Sequence, residues 1–167
     1  MFKNKISQRI IPLFAYLFPI LEIIYYFGLK LCTGLENQLV KNFCVVYILP
    51  LRSFYEQNLL LIFGLMVGIF TVCSKGSIPL PKFIRFNIIQ AILLSIAISC
   101  FGQVYSLCPL QVRESHFLTN LIINPVALSM GLIVIYSCVL VLAGRYSRFP
   151  ILSEAAKLQT QRGYSDE

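Results

Sequence analysis

The stretch PLPKFIRFNIIQAILLSI, residues 79–96, indicates the fold more strongly than any other part of the chain. Two prolines and two basic residues, Lys82 and Arg85, precede an apolar run that contains the amides Asn87 and Gln90. The run continues to residue 107, and a helix needs about 20 mostly apolar residues to cross a bilayer. The stretch therefore predicts a membrane helix with a basic entrance and polar side chains inside.

The composition places the whole chain in the same class. Of its 167 residues, 57% are hydrophobic and 13% are charged, and the mean hydropathy is +0.77. A soluble domain needs more polar surface than this chain can supply. Backbone N–H and C=O groups cannot stay unpaired in lipid. We therefore expect an all-α integral membrane protein.

Four apolar windows predict four transmembrane helices, packed as a single membrane domain of residues 1–167. The predicted spans are residues 10–31, 58–74, 86–107 and 122–144. Residues 44–56 are too short an apolar run to cross. They predict either an interfacial or re-entrant segment, with Tyr47, Phe54 and Tyr55 suited to the headgroup boundary, or a simple loop turn. A tail of residues 145–167 follows the last span.

The basic residues predict the orientation. Ten of the 14 Lys and Arg residues fall on the side shared by the N-terminus, the 75–85 loop and the tail. Lys and Arg concentrate on the inner side of a membrane, so both termini are expected there. Because the charges lie between apolar runs, they are suited to lipid headgroups and not to nucleic acid.

Glu22 is the acidic residue inside a predicted span. A carboxylate costs about 2–3 kcal/mol at mid-membrane, so it usually faces a partner or water. It either lines a polar path or receives a proton, or else it is hydrogen-bonded to Tyr25, Tyr26 or amides of another helix. Its protonation state stays open. Pro12 and Pro19 in the same span predict a kink.

The third predicted span has a polar face. Asn87, Gln90 and Ser95 share this face by the 3.6-residue period. They are candidates for hydrogen bonds between helices or for the lining of a hydrated groove. Lys82 and Arg85 are expected to reach lipid phosphates and to anchor the helix.

Gly64 and Gly68 form a GxxxG pair in the second predicted span. Two glycines at this spacing allow another helix to approach closely. Close packing within the bundle is the favoured interpretation, and a dimer face is the alternative, so a homo-oligomer stays open.

The remaining sequence features do not point to catalysis. The six cysteines form no CxxC pair, and a disulfide among Cys32, Cys44 and Cys108 stays open. No phosphate-binding glycine loop, HExxH motif or nucleophile elbow occurs. We predict neither an enzyme nor a bound cofactor or metal.

Three stretches of the sequence resemble the Tic20 family, the twenty-kilodalton subunit of the translocon at the inner envelope of chloroplasts. The segment 78–96 matches the characteristic motif of that family, and 145–159 is similar to its ending. Residues 12–27 resemble its first span more loosely. The residues that carry the two specific matches are Pro81, Lys82, Phe83, Arg85, Phe86, Asn87, Gln90 and Ala91, and then Tyr146, Pro150, Ile151, Ser153, Glu154, Ala155, Ala156 and Gln159.

This resemblance implies a four-helix subunit of the import translocon with both termini in the stroma. Its partners would be other translocon subunits, precursor proteins in transit and membrane lipids. Whether such a subunit forms a pore or scaffolds one stays open. The chain starts almost directly with its first span, which suggests a plastid-encoded algal protein of the inner envelope or, second, a cyanobacterial protein of the inner or thylakoid membrane.

Two other functions fit the residues without the resemblance. One is a four-helix oligomeric transporter of small solutes or ions, and the other is a purely structural subunit that holds partners through Gly64 and Gly68. In the tail, Ser153 is expected to cap a short helix over 154–161. Ser153 and Glu154 are candidate partner contacts, and the alternative is a tail seated on the membrane surface.

Overall fold

The computed structural model describes residues 5–33, 38–75, 80–109, 117, 119–146, 154, 156 and 158, and this part of the chain is helical with no strand. Two π-helical turns lie at Cys44–Ile48 and Thr119–Ile123. The α-helices are α1 (Lys5–Ala15), α2 (Leu17–Thr33), α3 (Gln38–Phe43), α4 (Leu49–Gln57), α5 (Leu59–Lys75), α6 (Lys82–Leu107) and α7 (Asn124–Leu142).

Three helical segments of the described residues are long and apolar enough to cross a membrane, namely Gln8–Leu29, Lys82–Leu107 and Leu121–Leu142. They correspond to the predicted first, third and last spans. A fourth crossing exists if the bent pair Lys41–Gln57 and Leu59–Lys75 acts as one span. The all-helical membrane class is therefore confirmed, with three spans or up to four.

The first span is interrupted at Tyr16, between α1 and α2. Pro19 has no N–H to donate to the carbonyl of Ala15, so the regular helical ladder cannot continue there. The Tyr16 N–H instead donates to the Leu13 carbonyl at 3.0 Å, three residues back. The helical ladder is thus interrupted close to Pro19, whereas Pro12 lies inside α1 without ending it. The predicted kink stays a prediction.

Helix α6 is the central helix of the fold, with α1, α2 and α5 packed against it. It begins after Pro81, which is extended (ψ 140°), and it ends at Cys108, because a residue followed by proline disfavours helical geometry. Every residue from Ile84 to Ile92 is buried. A helix that is buried all round must lie inside the protein.

The segment before α5 is helical and not a loop turn. Helix α4 packs along α2, and the chain then bends by 76° into α5. The elbow is Asn58, whose side-chain amide donates to the Phe54 carbonyl at 2.9 Å and so covers the end of α4. An interfacial location for residues 44–56 stays a prediction.

A disulfide joins Cys32, at the end of α2, to Cys44, in the first π-helical turn. It resolves the pairing that the sequence left open, and Cys108 is free. The linked positions are 12 residues apart. The bond therefore joins the end of α2 to the π-helical turn that leads into α4.

The opposite end of the bundle gathers the beginning of α1, the end of α7 and the beginning of α6. Gly144, with φ of +75°, ends α7, and its N–H and that of Arg145 donate to carbonyls of the last turn. The Arg9 guanidinium lies over Gly144, so that a methyl group there would be 3.1 Å from it. The Tyr146 ring packs edge-on against Phe83 at 5.3 Å.

A buried acidic pocket as candidate functional site

The packing of α4 along α2 brings Tyr55 of α4 next to Glu22 of α2. Glu22 is 5% exposed and Tyr55 is 4% exposed. The Tyr55 hydroxyl donates to Glu22 Oε1 at 2.5 Å, a length typical of a hydroxyl that donates to a carboxylate. Among the described residues, the buried Oε2 atom has no hydrogen-bond partner.

Glu22 belongs to the wall of a cavity of about 300 Å³ between the elbow and α6. Its polar lining comes from α2, α4 and α6, whereas apolar side chains supply the rest. The lining residues are Glu22, Tyr26, Tyr55, Ser99 and Gln103, together with Leu59, Leu60, Phe63, Met66, Ile96 and Cys100. Leu60 is 83% exposed, so the cavity opens toward the outside between α5 and α6.

Gly102 allows one wall of this cavity to form. A Cβ atom at this position would overlap the Tyr26 ring. Any residue other than glycine would therefore force the ring to move. The glycine therefore lets Tyr26 lie flat against α6, with its hydroxyl near Gln103. The close approach of α2 and α6 depends on this residue.

A cluster of three tyrosine rings lies next to Glu22, and an arginine packs against it. Tyr25 packs against Tyr26 at 4.8 Å and against Tyr55 at 5.0 Å between ring centroids. The Arg52 guanidinium lies 5.8 Å from the centroid of Tyr25, within the range of a cation–π interaction. No basic side chain of the described residues forms an ion pair with Glu22. The aromatic cluster thus holds a cation on one face, while the carboxyl has none.

The predicted polar face of α6 lies outside this cavity, and its side chains are fully buried. Asn87, Gln90 and Ser95 are at most 1% exposed, and the Asn87 amide donates to the Phe83 carbonyl of its own helix at 2.8 Å. The structure does not bring them into the pocket with Glu22. Their burial favours packing between helices over a hydrated groove.

The predicted headgroup anchor divides into two roles. Arg85 is 3% exposed and points into the protein, where it donates to the carbonyls of Cys73 and Ser74 at the end of α5, the latter at 2.6 Å. A cation at a helix C-terminus satisfies orphan carbonyls and favours the helix dipole. The expectation that Arg85 reaches lipid phosphate is therefore wrong. Lys82 is exposed, and its anchoring role stays a prediction.

The glycine pair of α5 is not packed against another helix of this chain. A Cβ at Gly64 or Gly68 would meet nothing within 4 Å. Both residues border an apolar groove of about 500 Å³ with Leu80 and Ile88 on its far side. Close packing within the bundle, the favoured interpretation, is not what the structure has at this pair.

The predicted tail contact is described only in part. Glu154 is helical and exposed, and Ala156 is buried. Ser153, the predicted cap, lies outside the described residues. The role of Glu154 stays a prediction.

The sequence patterns miss most of the pocket. They predict Tyr55 at the headgroup boundary and do not single out Ser99 or Gln103. A signal is present, since residues 95, 99 and 103 continue a polar line down α6 at a spacing of four. The described part of the chain contains no group of three or more side chains that could hold a metal ion.

Fold and site together define a multi-helix membrane protein with a buried carboxyl inside an apolar bundle. Its sequence matches the family described as "Chloroplast import apparatus Tic20-like" over residues 3–156. The chain therefore belongs to the Tic20 family, and the resemblance that the 78–96 motif suggested is confirmed.

Individual relatives agree with this assignment. The Tic20 family protein Ycf60 of Cyanidium caldarium is 31% identical over 160 residues, which cover 94% of this chain and 75% of that protein. The protein of the same name from Pyropia yezoensis is 30% identical and covers 98% and 80%. A Tic20 family protein of Synechocystis is 28% identical and covers 93% and 94%. No solved structure is significantly similar to the chain.

The family gives the class of function. It is associated with chloroplast protein import and is a family of translocon components rather than of enzymes. The match favours this class over the small-solute transporter. The chain is thus a transmembrane protein of the plastid protein-import class.

Proposed function

We propose that the chain is a subunit of the protein-import translocon of the chloroplast inner envelope and that its acidic pocket lies on the path of precursor proteins. Membership of the Tic20 family supports the translocon, and plastid-encoded relatives in red algae support the compartment. Its partners would be other translocon subunits, precursors in transit and lipids, with a homo-oligomer open.

The unpaired oxygen of Glu22 is the observation that supports a place for this pocket on the precursor path. A buried carboxyl in a membrane protein costs free energy unless a partner or water compensates it, so such groups usually serve a function. One oxygen is held by Tyr55, and the other is buried without a hydrogen-bond partner among the described residues. Glu22 itself lines the cavity, and a buried polar atom without a partner calls for an explanation.

The arrangement of the helix ends supports four crossings with both termini in the stroma. The beginning of α1 and the end of α7 meet at Arg9 and Gly144, and the beginning of α6 meets the end of α5 at Arg85. The disulfide at Cys32 lies at the other end of α2. The chain leaves α2 at one end of the bundle and starts α6 at the other, which supports α5 as a further crossing between them.

In this orientation the pocket lies nearer the side from which precursors enter. Ser99 and Gln103 belong to the last third of α6, which runs away from the stromal end. Glu22 lies about 15 Å from the end of α2, at a rise of about 1.5 Å per residue. The pocket would therefore meet a precursor early in its passage.

Photocrosslinking during arrested import tests this proposal. A photoreactive residue at Leu60 or Gln103 should crosslink to the precursor, because both positions line the mouth of the cavity. The control position is Leu132 on α7, which is 66% exposed and lies outside the cavity. Crosslinks from Leu60 and Gln103 to lipid and neighbouring subunits alone would make the protein a scaffold and would remove the pocket from the path.

A second experiment addresses the tail. Glu154→Lys should weaken assembly of the chain into the translocon in a pull-down, because it reverses an exposed charge on a helical position. Glu56→Lys, an exposed acid on α4, is the matched control. Unchanged assembly with Glu154→Lys would leave the tail without a contact role.

A further inference from the structure

We infer that the Glu22 pocket binds a single cationic side chain, an ammonium or a guanidinium group, of a polypeptide in transit. This inference rests on the proposed function for the source of the cation. The chemistry of the site rests on the pocket alone: a buried carboxyl with one free oxygen, hydroxyl and amide groups around it, and aromatic rings behind it.

The charge and hydrogen-bonding capacity of the pocket select a cation. An ammonium group carries three donors and no acceptor, and a guanidinium group carries five donors. The side chains that line the pocket carry acceptors of the complementary kind, namely the Glu22 carboxyl, the Tyr26 and Ser99 hydroxyls and the Gln103 amide. An anion would meet the carboxyl as a like charge, which costs free energy in a site of low dielectric constant.

The aromatic surroundings favour the same ligand. Tyrosine faces attract cations within about 6 Å of the ring centroid. The cluster already receives one guanidinium, since Arg52 stacks on Tyr25 at 5.8 Å. The inner rings, Tyr26 and Tyr55, belong to the cavity wall and provide the same kind of surface to a second cation.

The size of the cavity suits one side chain and not a helix. A volume of about 300 Å³ lies at the lower end of the range of small-ligand pockets. Leu59, Leu60 and Phe63 line the entrance from α5, and their apolar surface matches the methylene stem of a lysine or arginine. A basic side chain can enter while its backbone stays outside between α5 and α6.

Cys100 provides a reporter within the pocket. It is a free, exposed thiol that lines the cavity. Cys108, free and two turns further along α6, lies outside it. Two chains, each with one of these as its sole free thiol and with the Cys32–Cys44 disulfide kept, would be compared in nanodiscs of phosphatidylcholine. The probes are the cationic aminoethyl and the anionic sulfonatoethyl methanethiosulfonate.

The ratio of cationic to anionic modification rates should be about tenfold higher at Cys100 than at Cys108, as an attractive carboxylate nearby requires. Glu22→Gln should bring the two ratios together, and Glu56→Gln, which removes an exposed acid one residue from Tyr55, should not. Equal ratios in the native chain, or a ratio at Cys100 that Glu22→Gln leaves unchanged, would overturn the cation site.

A measurement on the native chain guards against misfolding of the variant. n-Butylammonium should slow modification of Cys100 and n-butanol should not, whereas equal protection by both would overturn the inference. A lysine-bearing peptide should protect Cys100 more than its Lys→Gln counterpart. Protection by phosphatidylethanolamine in the nanodisc, with none by the peptide, would assign the site to a lipid amine and overturn the polypeptide source.

These outcomes differ from those of the import experiment. If precursor crosslinks form at Leu60 and Gln103 but Cys100 shows no cation preference, the path stands and the cation site falls. If the cation preference and the peptide protection hold while precursor crosslinks are absent, the proposed place of the pocket on the precursor path falls and the binding chemistry of the pocket stands.

Discussion

The Tyr55 hydroxyl donates a hydrogen bond to the carboxyl of Glu22, 33 residues away in sequence and on another helix. This bond ties the α4–α5 elbow to the first span. It also leaves the second carboxyl oxygen without a partner among the described residues, in a residue that lines a cavity. The cavity forms between α2, α6 and the α4–α5 elbow. Removing the Tyr55–Glu22 hydrogen bond therefore measures how much this contact contributes to stability.

Tyr55→Phe should destabilise the protein by about 1–2 kcal/mol, because it removes one donor from a buried acceptor. Unfolding in detergent with increasing SDS would measure the change. Tyr47→Phe is the control, since Tyr47 lies in the preceding π-helical turn and is 55% exposed. Equal effects of the two substitutions would contradict a specific Tyr55–Glu22 bond.

Arg85→Ala should cost about 3 kcal/mol, because it leaves the carbonyls of Cys73 and Ser74 without this donor in a buried region. Hydrogen exchange should rise at the end of α5. Lys82→Ala, an exposed basic residue one turn earlier, should change stability by less than about 0.5 kcal/mol. A larger loss from Lys82→Ala than from Arg85→Ala would restore the headgroup-anchor interpretation.

Gly102→Ala should destabilise the bundle by about 2 kcal/mol or more, since the new methyl group would overlap the Tyr26 ring. Gly64→Ala and Gly68→Ala meet no atom within 4 Å. Each should leave the monomer unchanged or stabilise it by about 0.5–1 kcal/mol through helix propensity. Thermal unfolding of the monomer in detergent distinguishes the sites, and destabilisation by Gly64→Ala would contradict the open face.

Replacing both Cys32 and Cys44 by serine should destabilise the protein by about 3 kcal/mol, the loop-closure contribution of a crosslink between positions about a dozen residues apart. Cys108→Ser, which changes a free thiol, is the control. Maleimide-polymer labelling with and without reductant counts the free thiols. Labelling of Cys32 without reductant would show that the bond does not form.

The same disulfide reports the orientation. If both termini are stromal, a reductant that does not cross the inner envelope should reduce Cys32–Cys44 when it is added from the intermembrane side. The bond should resist the same reductant added from the stromal side of inverted vesicles. Reduction from the stromal side alone would reverse the proposed topology.

The sequence by itself determined the class, the family and most of the helices. Long apolar runs have to become helices in lipid, so the window 122–144 matches Leu121–Leu142 within two residues. The 78–96 motif is specific enough to indicate the family from its residues alone. The interruption close to Pro19 also follows from the sequence, because the missing N–H is a local property of the chain.

Only the tertiary structure decided which polar groups meet. Arg85 and Lys82 look alike in the sequence, yet one covers the end of α5 and the other is exposed. Tyr55 reaches Glu22 because α4 packs along α2 before the chain bends by 76° into α5, and no local pattern encodes this partner. Hydropathy specifies that a helix is buried, whereas partners depend on how the helices pack, and packing is set by contacts between residues far apart in sequence.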